Sequence, residues 1–226
     1  MRKLLVAAMV VGMVAPAVMA EDFFARGDWN GFGLDDPLNF VGGVEYAGTV
    51  TGLTPGDEYE YKVANEDFSI AAPGSNGKVA ADANGEIAFH YFNQDSWDDG
   101  WMPADKLRVG YDDPGQFGWE IMGAFNGWAD GLMSLDDMGG GLYHGDLVVA
   151  DPGDYEWKFR KQDDWSISIG DDFGNSAANN LITTTFANEV VHFQLDLPNG
   201  RWMAIPEPST VALLALAGVF AIRRRR

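Results

Sequence analysis

The chain has 226 residues, 34 of them acidic against 15 basic, with a formal net charge of −19 and no cysteine. Such a surface repels nucleic acid and anionic headgroups, which removes both from the list of expected partners. Without cysteine there are neither disulfides nor thiol chemistry. Aromatics at 13% and 28 glycines suit short strands joined by tight turns.

The chain opens with Arg2 and Lys3, an apolar run from Leu4 to Val14, and small residues at Val18 and Ala20 before the acidic Glu21-Asp22. That order is expected of a secretory signal peptide over residues 1–20, helical while it is present. Six of the fifteen basic residues (Arg2, Lys3 and Arg223 to Arg226) lie at the two ends, so the stretch between them is more acidic than the net charge suggests.

That stretch contains an internal repeat. Gly27-Asp28-Trp29-Asn30-Gly31-Phe32 matches Gly123-Ala124-Phe125-Asn126-Gly127-Trp128, and Tyr46 to Asp57 aligns without a gap to Tyr143 to Asp154. Tyr59-Glu60-Tyr61-Lys62-Val63 then matches Tyr155-Glu156-Trp157-Lys158-Phe159, and Glu66 to Ile70 matches Asp163 to Ile167. In each unit apolar residues alternate with charged ones, as in Tyr59, Tyr61, Val63 and Tyr155, Trp157, Phe159, the pattern of a half-buried strand. Ile87, Phe89, Tyr91 and Val191, Phe193, Leu195 repeat it later in each unit. Thr54-Pro55-Gly56-Asp57 and Asp151-Pro152-Gly153-Asp154 are expected turns, with Gly at the position that needs positive φ. The expected fold is all-β: two tandem antiparallel β-sandwiches over residues 21–112 and 113–204, joined by a turn-rich hinge at Asp112-Asp113-Pro114-Gly115.

The last segment, residues 205–226, holds Pro206-Glu207-Pro208, twelve apolar residues from Val211 to Ile222, and four arginines. As a helix twelve residues span about 18 Å. A hydrocarbon core of about 30 Å needs roughly 20 residues, so this helix is too short for a comfortable span. The segment resembles the PEP-CTERM sorting signal of Gram-negative bacteria. The resemblance implies export, an exosortase-type transpeptidase as partner, removal of the tail near Pro206, Glu207 and Pro208, and residence in the envelope, at the outer surface or in the extracellular matrix. A simple tail anchor is the alternative, with the membrane touched only through this segment.

The second unit, from about Glu120 to Trp202, resembles the immunoglobulin-like carbohydrate-binding modules of the glycogen-binding kind, found in the β subunit of AMP-activated kinase and attached to pullulanases. The resemblance implies immunoglobulin-like sandwiches and a glycan-binding face made of Trp128, Lys158, Trp165 and Asn179. An indole accepts the apolar face of a pyranose, while Lys and Asn reach its hydroxyls. The first unit carries Phe32, Lys62 and Phe68 at the matching places and no Asn-Asn pair. It departs from the pattern, so a binding role and a purely structural one both stay open for it. Read without the resemblance, Trp128 and Trp165 are equally edge-of-core aromatics and Lys158 a solvent-face lysine.

No catalytic constellation stands out, and the chain is expected not to be an enzyme. Asp95-Ser96-Trp97-Asp98-Asp99-Gly100 approaches a calcium loop, but Trp97 takes the third position and Lys106 the place of the closing glutamate, so it is no EF-hand. A loosely bound calcium ion stays open; no other cofactor is expected. His90, His144 and His192 lie far apart and lack a zinc-type spacing. The expectation is a non-catalytic envelope protein that binds an extracellular polysaccharide, an exopolysaccharide or an α-glucan, through its second unit. The alternative is a structural scaffold of the surface or matrix.

Overall fold

The computed structural model describes residues 21–129 and 133–207, so the expected signal helix and the C-terminal apolar helix lie outside the described residues. What is described is antiparallel β-structure, and the helical segments among these residues are two three-residue 3-10 turns. None is long and apolar enough to cross a membrane.

Strands β1 (Phe23–Gly27), β2 (Pro37–Gly42), β3 (Glu45–Val50), β4 (Glu58–Ala64), β5 (Ala71–Ala80), β6 (Ile87–Phe92) and β7 (Arg108–Tyr111) form one seven-stranded sheet in the order β5-β4-β1-β2-β3-β6-β7. The sheet folds over on itself: Tyr61 on β4 meets Phe89 on β6 with ring centroids 5.0 Å apart, although three strands separate them in the hydrogen-bonded order. Strands β8 (Trp119–Gly123), β9 (Asp136–Asp137), β10 (Leu142–Val149), β11 (Gly153–Lys161), β12 (Asp164–Ile169), β13 (Asn180–Thr184), β14 (Glu189–Asp196) and β15 (Arg201–Pro206) follow. They make a β15-β14-β10-β9 sheet and a second sheet in which β11 pairs with β8 on one side and with β12 and β13 on the other. Trp157 on β11 packs edge-on against Phe193 of β14 at 4.8 Å and Trp202 of β15 at 5.0 Å, which joins the two sheets face to face in a sandwich-like arrangement.

Strand alternation follows the sequence. On β4 Tyr61 and Val63 are fully buried, on β11 Trp157 and Phe159 are, and on β14 Val191, Phe193 and Leu195 are. Glu60, Lys62, Glu156 and Lys158 therefore share the opposite faces of their strands. Gly56 takes φ +80° in the turn closed by the Asp57 amide on Thr54 O. The second expected turn is displaced. Gly153 is not left-handed but begins β11, because its amide donates to Thr184 Oγ1 and its backbone pairs with β13.

The expected hinge is instead a bonded junction. The Tyr143 hydroxyl donates to Asp113 at 2.6 Å, the Gln116 side chain donates to Ala81 O, and the Tyr111 amide donates to Leu197 O. Gly110 lies so close to the turn after β14 that a Cβ would stand 2.0 Å from Pro198 O, so only glycine fits. Buried apolar residues from both halves form one connected cluster, from Phe23 to Trp202.

Candidate functional site

Trp128 stands where the chain leaves the second 3-10 turn, Ala124–Asn126. Gly127 and Trp128 are both left-handed, at φ 64° and 60°. A tryptophan tolerates this only if its backbone is held, and the Trp128 amide donates to Gly123 O at 2.9 Å and to Asn126 Oδ1 at 3.1 Å. The loop thus projects the half-buried indole onto Trp165, with ring centroids 6.0 Å apart. Trp165 is 44% exposed and rests on the guanidinium of the buried Arg160, 4.7 Å from its ring centre. The two indole planes meet at 46°, so they form an angled shelf and not one flat surface.

Glu156, Lys158 and Arg160 recur at every second position on the face of β11 that turns away from the core. Lys158 Nζ donates to Ala177 O at 2.7 Å, and Asn179 Nδ2 donates to Glu156 Oε2 at 3.0 Å. All four residues singled out in the sequence, Trp128, Lys158, Trp165 and Asn179, are therefore gathered along this one face. Each polar group already has a protein partner, yet the ammonium keeps donors to spare.

The first half repeats the arrangement more closely than its sequence suggested. Gly31 and Phe32 are both left-handed at φ 59°, and the Phe32 amide donates to Gly27 O at 2.8 Å. Phe68, 43% exposed, lies over the guanidinium of Arg26 at 3.7 Å. Arg26, itself buried, donates to Phe32 O and Asn65 O and so ties the two aromatic loops together. Lys62 Nζ donates to Pro73 O and Gly74 O. Asn76 Nδ2 donates to Glu60 Oε2 at 3.0 Å, the bond that Asn179 makes with Glu156. Phe32, Lys62, Phe68, Ala71 and Asn76 line a groove of about 440 Å³. Asn76 escaped sequence reasoning because it lies within β5 and has no second asparagine beside it. The signal available was its place after the repeated hairpin.

The two faces adjoin. The Asn175 amide donates to Asn76 O, and Asp172 accepts from the Ser75 amide. Burial pushes both the Lys62 and the Lys158 ammonium below the ordinary lysine value, and the Asp172 carboxylate acts on both in the opposite sense. One acidic side chain is thus shared electrostatically by the two lysines.

Two further groups were not legible as sites. Asp99, in the loop that resembled a calcium site, is paired with Arg108 at 2.6 Å and accepts from Arg201, so its carboxylate is already engaged by cations. His144 and His192 share no motif spacing, but β10 and β14 lie side by side with Asp146 directly opposite His192. Both imidazoles reach Asp146, at 3.1 and 2.6 Å. Of the sorting triplet, Pro206 closes β15, and the Glu207 amide donates to Val190 O while its carboxylate meets His192 Nε2 at 2.9 Å. Pro208 lies outside the described residues.

Residues 204–226 match the family model for the PEP-CTERM protein-sorting motif. No curated protein matches the chain. The motif marks an exported protein that an exosortase sorts to the cell envelope through the secretion pathway.

Proposed function

We propose that this sorted envelope protein is non-catalytic and holds a glycan, an exopolysaccharide or an α-glucan, on the outward face of β11, within the second of two tandem immunoglobulin-like units. The observation that carries this reading is the shelf of half-buried Trp128 and exposed Trp165 beside Lys158 and Asn179. Stacking a sugar ring on an indole removes on the order of 100 Å² of apolar surface from water, or roughly 2–3 kcal/mol. That is too little for useful affinity from one ring. A second ring at the angled neighbour supplies more, and the Phe32–Phe68 groove supplies a second anchoring point for the same chain. Joining two weak sites on one polymer raises apparent affinity by about 10²–10⁴.

Binding to a panel of polysaccharides by affinity electrophoresis tests the reading. Retardation that Trp128→Ala/Trp165→Ala weakens at least tenfold, with the far-UV spectrum unchanged, is the expected result. Well-folded protein that no polysaccharide retards leaves a structural surface component, the reading favoured by the continuous core and by lysines already bonded to main-chain carbonyls.

A further inference from the structure

We propose that His144, Asp146 and His192 form a binding site for a divalent transition-metal ion of the zinc class, placed at the root of the sorting segment. His144 and Asp146 sit at i and i+2 on β10 and so share a face, and His192 is the cross-strand partner of Asp146 on β14. One ligand atom from each of the three lies within 4.8 Å of the other two. Both imidazoles approach the same oxygen, Asp146 Oδ1, His144 through Nε2 at 3.1 Å and His192 through Nδ1 at 2.6 Å. The rings are stacked nearly parallel, 20° between planes with centroids 6.3 Å apart.

His192 Nε2 lies 2.9 Å from Glu207 Oε1, a contact that needs an N–H on Nε2. In the neutral ring this leaves Nδ1, the nitrogen that faces Asp146, with a lone pair to offer an ion. A metal ion would take one lone pair each from His192, His144 and Asp146, with the Asp146 carboxylate drawn back from His192 to metal-ligand spacing. The Glu207 carboxylate on the far nitrogen is the outer partner that metal-bound histidines ordinarily have, fixing tautomer and ring orientation. Two imidazoles and one carboxylate suit zinc, nickel or copper, and not calcium or magnesium, which take oxygen ligands. All three side chains are at least one-third exposed, so an ion has access and water can fill the remaining positions. The net charge of −19 raises cation concentration at such a surface. Because Glu207 belongs to the sorting triplet, an occupied site would fasten the start of that segment to β14.

Calorimetric titration of the untagged full chain with zinc chloride tests the site, with calcium chloride as the comparison. One zinc ion per chain is expected, with calcium giving no stoichiometric heat. His144→Ala/His192→Ala should abolish the binding while the far-UV spectrum stays unchanged. Glu207→Gln should keep the stoichiometry and weaken affinity about tenfold. Cobalt should give visible absorption bands in the wild type that the double-histidine variant lacks, a readout of nitrogen ligation that does not depend on stability. No zinc binding by the wild type, or zinc binding as tight in the double-histidine variant, would overturn the proposal and leave His192 simply protonated between two carboxylates.

Discussion

Asn76 and Asn179 make the same bond in the two halves of the chain: each side-chain amide donates to an outward glutamate, Glu60 or Glu156, at 3.0 Å. Around each asparagine stand a lysine bonded to main-chain carbonyl oxygen and two aromatic rings, with Trp128 on a left-handed backbone in one half and both Phe32 and Phe68 in the other. The tryptophan pair of one half is a phenylalanine pair in the other.

If both faces hold the same polymer, removing either aromatic pair should weaken binding without abolishing it. Phe32→Ala/Phe68→Ala and Trp128→Ala/Trp165→Ala are each expected to raise the half-saturating polysaccharide concentration at least tenfold, and the fourfold variant to lose retardation altogether. Loss confined to the tryptophan variant would show that only the β11 face binds.

Arg26 joins the Phe32 and Phe68 loops through a buried guanidinium that donates to four main-chain carbonyls. Arg26→Leu leaves those acceptors without donors and is expected to cost about 2–4 kcal/mol in urea unfolding. Arg26→Lys should recover little of it, because a point charge on a flexible stem cannot reproduce the planar fork under Phe68.

Much of this was legible in the chain itself. The alternation in Tyr59 to Val63 and Tyr155 to Phe159 placed β4 and β11 and their buried faces, and the repeat placed the two aromatic turns. What escaped was whatever depends on which strands become neighbours. His144 and His192 meet only because β10 pairs with β14. Gly153 read as a turn glycine until β13 supplied Thr184 to bond it. The hinge at Asp112 to Gly115 carried turn residues, but Tyr143 and the Leu197 carbonyl, both remote in sequence, secure it on either side.

Those remote contacts predict cooperative unfolding. Tryptophan fluorescence and far-UV ellipticity should report one coincident transition in urea, since the buried cluster runs through both halves. Gly110→Ala should lower its free energy by about 3 kcal/mol, because the added methyl meets the Pro198 carbonyl. Two separate transitions would indicate independently folding halves.

Acid should lower the stability of the fold in a defined window. Hydrogen bonding to Arg108 holds the Asp99 carboxyl down at about 2, from an ordinary 3.8, and hydrogen bonding to Lys161 does the same for Asp164. A carboxyl depressed on folding contributes stability above its unfolded value and loses it as pH falls through the folded one. That contribution should therefore be intact at pH 5 and decline between about 4 and 2. In Asp99→Asn, chemical denaturation across that range should show a shallower decline.

The place where β15 ends has a consequence for processing. Its ladder with β14 runs from Arg201 to Pro206, and the Glu207 amide adds one last rung on Val190. A cut in the backbone after Glu207 would leave that ladder and its last rung whole, so every described strand would stay with the released protein.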